Sequence, residues 1–265
     1  MKLYVTSDLH YDYYRKGNGS DYIDVFIADK FNVDVDTVVL AGDIATRFNP
    51  ARDILTKLSD TFKNVVFCLG NHDLVTALDD HKFKRSEDKI DKYHALSDSI
   101  GNLHLLDGNT VTIDGVKFGG SMGIWDMSYT GGYSREYLDE YWLRKWYDGK
   151  YWNYMDNDIE RIREVELGKL NSVISDVPDV MVTHFSPLIE IPLAYAGSMC
   201  SAYFYFSKYI SDKLVNRGKL WCSGHTHSAL KSDGYVINPI GYPFETPLAD
   251  KNLTVNDFII DIDKM

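Results

Sequence analysis

Short apolar runs rich in β-branched residues recur along the chain, and stretches with helical character separate them. Runs of this length and composition are typical of strands that are buried on both faces of a sheet. The five clearest runs are residues 3–6, 37–40, 65–69, 180–183 and 220–222. The pattern therefore predicts a mixed α/β fold with a buried central sheet.

The segments outside these five runs show other patterns of apolar and polar residues. Apolar residues recur on one face of residues 50–62 and 89–100, which predicts two amphipathic helices. Residues 111–118 alternate apolar and polar on both sides of an Asp-Gly pair, which is a strong signal for a β-hairpin. Two later strands are predicted at residues 235–238 and 258–262.

Residues 129–158 differ in composition, because tyrosine and tryptophan alternate there with charged residues. This segment predicts a helical insertion. Its aromatic rings favour stacking of a nucleobase or another planar group. The alternatives are a small satellite core or a dimer contact. Without internal repeats or linker-like stretches, we expect residues 1–265 to form a single domain that carries this insertion.

The composition narrows the class of protein. The chain has 265 residues, a net charge of −11 and an apolar content of 45%, which is enough for a full core. No export signal or membrane-spanning run is apparent, so we expect a soluble, cytoplasmic protein. The negative charge disfavours long nucleic acids as partners. Three cysteines without paired spacing indicate buried free thiols.

Polar side chains that can bind metal follow all five apolar runs, at the point where each predicted strand ends. Open α/β sheets place their binding crevice at this edge. A mixture of carboxylate, imidazole and amide donors suits Mn, Fe, Zn or Co better than calcium. The candidate residues are Asp8, His10, Asp43, Asn71, His72, Asp73, His184, His225 and His227.

This ordered pattern resembles the calcineurin-like metallophosphoesterase superfamily. The matching motifs are Asp8-x-His10, Gly42-Asp43, Gly70-Asn71-His72-Asp73, His184 and Gly224-His225-x-His227. The resemblance implies a four-layer α/β/β/α sandwich, in which two mixed sheets are flanked by helices. It also implies two metal ions per chain and hydrolysis of a phosphate ester.

The resemblance assigns a role to each matching residue. One metal would be bound by Asp8, His10, Asp43 and His227. The other would be bound by Asp43, Asn71, His184 and His225, with Asp43 as the bridge. His72 matches the catalytic histidine of the family, and Asp73 stands where many members carry an acid that orients this imidazole.

Further residues are candidates for the wall of the cleft. Arg47 follows Asp43 by four residues, a spacing that resembles the phosphate-binding arginine of protein Ser/Thr phosphatases. The alternative is a surface or helix-entry arginine, because the neighbouring residues differ from that branch. The loop at residues 17–19 is a further candidate, as are Tyr11, Tyr13 and Tyr242.

The leading hypothesis is a metal-dependent phosphoric ester hydrolase, in which a metal-activated water attacks a small phosphomonoester or phosphodiester. The aromatic segment favours a nucleotide as its substrate. A nuclease would need a basic groove, which this acidic chain does not predict, and a protein phosphatase fits the residues around Arg47 poorly. A metal-binding scaffold without catalysis is the non-enzymatic alternative, which the retained His72 disfavours.

Overall fold

The computed structural model describes residues 1–14, 21–79, 83–206 and 218–265. The candidate loop at residues 17–19 lies outside these ranges. The described residues form two β-sheets with helices on their outer faces, and buried side chains from both sheets join one core. The predicted four-layer α/β/β/α sandwich is confirmed.

The first sheet contains most of the N-terminal strands. Its members are β1 (Lys2–Thr6), β2 (Thr37–Ala41), β3 (Asn64–Cys68), β4 (Leu103–Leu106) and β11 (Ile259–Asp261). The strand order is β11-β1-β2-β3-β4, in which β11 alone is antiparallel to its neighbour. The parallel strands β1, β2 and β3 therefore end at the same edge.

The second sheet has a parallel centre and antiparallel edges. Its members are β5 (Asn109–Ile113), β6 (Val116–Ser121), β7 (Val180–Thr183), β8 (Leu220–Ser223), β9 (Leu230–Ser232) and β10 (Tyr235–Ile237). The order is β5-β6-β7-β8-β10-β9. The predicted hairpin is β5–β6, and its turn residues Asp114 and Gly115 have φ angles of 47° and 85°. Positive φ at both central residues matches the right-handed twist of a hairpin.

Helices cover the outer faces of the two sheets. On the first sheet, α3 packs against β3 and α4 packs against β4, while α7 packs against β5 and β6 of the second. The helices are α1 (Tyr11–Tyr14), α2 (Asp21–Lys30), α3 (Phe48–Thr61), α4 (Ser86–Ser99), α5 (Arg135–Arg144), α6 (Tyr147–Tyr151), α7 (Ile159–Ser175) and α8 (Glu190–Ala194). Both predicted amphipathic helices are present, as α3 and α4.

The aromatic segment at residues 129–158 contains α5 and α6. Part of it joins the main core instead of forming a small satellite core, because Trp142 and Trp152 are buried there and Trp142 packs on Trp125 with 5.7 Å between ring centroids. The remainder, described below, reaches the site. Cys68 and Cys222 are buried free thiols, whereas Cys200 is half-buried. Among the described residues, no helix is both long and apolar enough to cross a membrane.

Candidate metal centre

The five predicted sets of polar residues meet where the parallel strands of both sheets end. Several of these residues have a backbone in the left-handed region, which is uncommon for residues other than glycine. Their φ angles are 50° at Asp8, 42° at His10, 55° at Asp43, 70° at His225 and 50° at His227. Conformations of this kind cost about 1–3 kcal/mol each and concentrate at functional sites.

Two glycines let the backbone approach the site closely. Gly42 has a φ of 83°, and a Cβ atom there would lie 2.5 Å from Nδ1 of His184. A Cβ atom on Gly70 would lie 2.2 Å from Oδ1 of Asp43. Any larger residue would therefore displace a predicted metal ligand.

The first group of donors comprises Asp8, His10, Asp43 and His227. Nε2 of His10 lies 2.9 Å from Nε2 of His227 and 3.7 Å from Oδ2 of Asp43. Nε2 of His227 lies 3.5 Å from Oδ1 of Asp8. The nitrogen and oxygen atoms of these side chains thus converge on a small volume.

The second group comprises Asn71, His184 and His225, and it shares Asp43 with the first. Oδ1 of Asn71 lies 2.9 Å from both Nε2 of His184 and Nδ1 of His225. Nε2 of His184 is also 3.4 Å from Oδ2 of Asp43. Nδ1 of His184 pairs with the carbonyl of Ala41 at 2.9 Å, which leaves Nε2 directed at the group.

These donor groups fit divalent cations. With metal–ligand bonds of about 2.1 Å, neighbouring ligand atoms on one ion are separated by roughly 3.0–3.4 Å, close to the distances seen here. The two facing imidazole nitrogens of His10 and His227 need either a proton or a cation between them. Mixed nitrogen and oxygen donors of this type suit Mn, Fe, Zn or Co.

The electrostatics of residues in both groups also suit a cation. Burial lowers the pKa of His10 and of His225 to about 3, so both rings are neutral and keep a lone pair. Burial would raise the pKa of Asp8, but a hydrogen bond and the charge of His227 lower it to about 2. The carboxylate is therefore ionised near neutral pH, as a metal ligand must be.

His72 lies beside both groups, within 4.8 Å of donor atoms of His10 and Asp43. Its backbone N–H donates to Oδ1 of Asp43 at 2.8 Å, and its Nδ1 is 3.1 Å from Oγ1 of Thr46. Tyr147 stacks on the imidazole with 4.8 Å between ring centroids. Burial lowers the pKa of His72.

Asp73 differs from its expected geometry. Its carboxylate accepts backbone N–H groups of Ile44, Ala45 and Gly70 at 2.8–3.2 Å, together with the hydroxyl of Tyr93 at 3.2 Å. The contact expected with the imidazole of His72 is replaced by Thr46. Asp73 instead joins the loop after β2 to the loop after β3, because buried amides require an acceptor.

Of the other candidates for the cleft wall, some lie at the site and others lie in the core or on the surface. Arg47 is exposed at the start of α3 and does not line the cavity described below, so no contact supports phosphate binding. Tyr11 is buried in the core against Phe26. Tyr242 stacks on His10 at 4.3 Å, and Tyr13 packs against Tyr242 at 4.9 Å.

A cavity of about 340 Å³ opens over the two donor groups. Aromatic side chains from three parts of the chain form part of its wall. These are Trp146 and Tyr147 of the insertion, Phe204, and Tyr242. The insertion therefore contributes both to the main core and to the site.

Three residues that contact predicted metal ligands were missed by sequence reasoning. The side-chain amide of Asn71 donates to Oδ1 of Asp148 at 2.9 Å, and Nε1 of Trp152 donates to the Asn71 carbonyl at 2.8 Å. Nδ1 of His227 lies 2.7 Å from Oε2 of Glu245. Trp152 and Asp148 belong to the predicted aromatic segment, but no spacing connected them, or Glu245, to a metal ligand.

Comparison with known structures supports the fold. The phosphopantetheinyl hydrolase PptH from Mycobacterium tuberculosis has a TM-score of 0.70 and 18% identity, covering 91% of this chain and 90% of its own. A structure described as a novel archaeal phosphodiesterase has a TM-score of 0.32 and 15% identity, covering 91% and 84% respectively. At such identities the likeness to PptH concerns the fold alone.

Comparison of sequences identifies the family. No curated protein sequence gives a significant match to the chain. The sequence profile of the calcineurin-like phosphoesterases, in contrast, matches residues 1–229, a range that holds every predicted metal ligand. Because this match spans most of its length, the chain belongs to the calcineurin-like phosphoesterase family, and it is a metal-dependent phosphoester hydrolase.

Proposed function

We propose that the protein binds two metal ions per chain and hydrolyses a small phosphate ester, with a nucleotide-like ester as the favoured substrate. One observation carries this proposal: the two groups of metal-binding side chains meet at one shared carboxylate, because Oδ2 of Asp43 lies 3.7 Å from Nε2 of His10 and 3.4 Å from Nε2 of His184. A carboxylate between two such groups is the arrangement required to bridge two cations.

The first cation would be held by Asp8, His10, Asp43 and His227, and the second by Asp43, Asn71, His184 and His225. Paired divalent cations supply charge that stabilises the attacking and leaving oxygens of an in-line displacement and lowers the pKa of water. The protein fixes the ligand atoms in advance through buried hydrogen bonds, which reduces the reorganisation required during the reaction.

His72 is proposed as the general acid. Because Thr46 engages Nδ1, Nε2 is the ring nitrogen left for the substrate, and it faces the hydroxyl of Tyr242 at 3.5 Å. A proton on Nε2 would pass to the oxygen of the leaving group. This transfer prevents an unstable alkoxide from forming, an effect typically worth about 10²- to 10⁴-fold in rate.

The cavity wall favours a substrate with a planar group. Trp146, Tyr147, Phe204 and Tyr242 offer ring faces or edges close to the donor groups, and aromatic rings stack on nucleobases with little dependence on sequence. A volume of about 340 Å³ is in the range of small-molecule sites. The name of the structural neighbour PptH adds a phosphopantetheinyl ester to the substrates that merit testing.

The test uses metal-stripped protein reconstituted with Mn. We expect two bound Mn ions per chain and hydrolysis of p-nitrophenyl phosphate or bis-p-nitrophenyl phosphate, with the preferred ester separating phosphatase from phosphodiesterase. Asp43→Asn should lose hydrolysis and at least one metal. Asp91→Asn, an exposed change of equal charge on α4, should retain both. Nucleoside monophosphates and cyclic nucleotides then test the favoured substrate class.

Three results would contradict the proposal. A single bound Mn at saturation would contradict the binuclear centre. Two bound Mn ions without turnover of any ester would favour the scaffold alternative. Cleavage of long DNA or RNA, or of phosphoproteins, in preference to small esters would instead favour the nuclease or phosphatase alternative.

A further inference from the structure

The connection that follows β10 packs directly against the first donor group. The backbone N–H of Ile240 donates to the carbonyl of Ser7 at 2.9 Å, and that of Gly241 donates to the carbonyl of Asp8 at 2.9 Å. This connection starts after residue 229, where the match to the family profile ends. The connection therefore contacts the site although it lies outside the range that matches the family profile.

Glu245 in this connection is held against His227. Its Oε2 accepts the backbone N–H of Tyr242 at 2.8 Å and lies 2.7 Å from Nδ1 of His227. Gly241 has a φ of 76°, and a Cβ atom there would lie 2.5 Å from the same carboxylate oxygen. The turn therefore leaves space for this carboxylate beside the imidazole.

The contact fixes the state of the His227 ring. A carboxylate only accepts hydrogen bonds, so Nδ1 keeps a proton, and Nε2 is the nitrogen that can give up its proton and bind a cation. Nε2 is the atom that faces His10 at 2.9 Å and Asp8 at 3.5 Å. A carboxylate behind a metal-binding histidine orients the ring and increases its basicity.

We propose that Glu245 is a positioning residue for the first metal, acting through His227. The inference rests on the proposed binuclear centre and makes a claim that the centre alone does not. Glu245 contacts His227, whereas Asn71, His184 and His225 have other partners. Loss of this carboxylate should therefore weaken one of the two metal sites and spare the other.

The experiment compares Glu245→Gln with Asp250→Asn. Both changes remove one negative charge from the same connection, but Asp250 is exposed and contacts Thr246 instead of a metal ligand. Binding of Mn to the metal-stripped full-length proteins is titrated by calorimetry. Unfolding of the metal-free proteins is followed in parallel.

We expect Glu245→Gln to bind one Mn with unchanged affinity and the other about 10- to 100-fold more weakly, while Asp250→Asn matches wild type. The metal-free unfolding temperatures of the two variants should agree. Equal Mn binding by Glu245→Gln and wild type would overturn the inference, as would equal weakening of both sites with loss of metal-free stability. Two Mn ions and turnover in wild type test the proposed function separately.

Discussion

At the scale of single residues, His72 combines three features that a general acid needs. Its ring is fixed by Thr46 on one nitrogen and by stacking on Tyr147, and its backbone N–H is tied to Asp43. It lies beside the metal-binding groups without belonging to the sets implied by the family. Because its imidazole also lies near donor atoms of His10 and Asp43, the proposed acid role has to be separated from metal binding by experiment.

His72→Ala should reduce hydrolysis most for esters with poor leaving groups. For an alkyl phosphate ester we expect kcat to fall by about 10²- to 10⁴-fold, because an alkoxide needs the proton that His72 supplies. For a p-nitrophenyl ester the loss should be much smaller, since that anion is stable without a proton. Steady-state kinetics with both esters at saturating Mn measure the difference.

The control for this prediction is His94→Ala, which removes an exposed histidine on α4 that pairs with Asp107 at 3.0 Å. It should leave both rates unchanged.

The pH dependence of hydrolysis supplies a second test of the acid role. Burial lowers the pKa of His72 below its ordinary value of 6.5, so the ring loses its proton as the pH rises through that lower range. Alkyl ester hydrolysis should decline over that range in wild type and in His94→Ala, but not in His72→Ala. An equal loss for both esters would contradict the acid role.

At the scale of elements, the aromatic insertion holds one predicted metal ligand, Asn71, through two contacts. Asp148 in α6 accepts the side-chain amide of Asn71, which turns Oδ1 of Asn71 toward His184 and His225. Trp152, directly after α6, donates to the Asn71 carbonyl. The insertion therefore positions the second donor group in addition to lining the cavity.

Trp152→Phe tests this role, with Trp142→Phe as its matched control. Both tryptophans are buried, but Nε1 of Trp152 donates to Asn71, whereas Nε1 of Trp142 has no hydrogen-bond partner among the described residues. We expect Trp152→Phe to lower the free energy of unfolding by about 1 kcal/mol more than Trp142→Phe. The Mn affinity of the second site should fall about tenfold in Trp152→Phe and stay unchanged in Trp142→Phe. Identical metal affinities in the two variants would contradict the role.

Much of the element pattern was predictable from the sequence, because buried parallel strands need continuous apolar runs. The runs at residues 37–40 and 180–183 match β2 and β7 closely. Two short strands, β4 and β9, were not predicted. β4 carries His104 within four residues, and β9 is a three-residue edge strand, so neither offers enough periodicity to separate a strand from a loop.

In the site, too, residues that follow strands were predictable from the sequence, whereas contacts between residues far apart along the chain were not. Asp8 and Asp43 each lie two residues after the end of a strand, β1 and β2 respectively. Their positions along the chain were therefore enough to predict that they meet. Asp148 contacts a residue 77 positions away, and Glu245 contacts one 18 positions away across an irregular connection. No local pattern encodes such pairs, because the tertiary fold alone brings them together.

At the scale of the whole molecule, the two sheets enclose a group of charges that is costly without a cation. Asp8 and Asp43 are almost completely buried, and the imidazoles of His10 and His227 face each other at 2.9 Å. Burying charges and strained backbone in this way opposes folding. A bound cation offsets these costs, since it pairs with the carboxylates and takes the lone pairs of both rings.

Metal binding should therefore stabilise the folded protein strongly. The ligands come from residues 8 to 227, so the unfolded chain cannot assemble them, and binding is linked to folding. At a free Mn concentration about 100 times the dissociation constant, one site adds about 2.7 kcal/mol. For a domain of this size, that corresponds to a rise in Tm of roughly 5–11 °C.

Thermal unfolding with and without Mn, and after chelation by EDTA, measures this rise. Asp43→Asn should lose most of it, because Asp43 is the ligand common to both groups, and its metal-free Tm should be lower than that of metal-free wild type. Burial opposes the charge of Asp43, but His184 at 3.4 Å and the backbone N–H of His72 outweigh burial and hold the pKa of this carboxyl well below its usual value, so a neutral amide gives up a stabilising interaction. A full rise in Tm in Asp43→Asn would show that Mn stabilises the fold elsewhere, and the shared carboxylate would then not be the centre of the site.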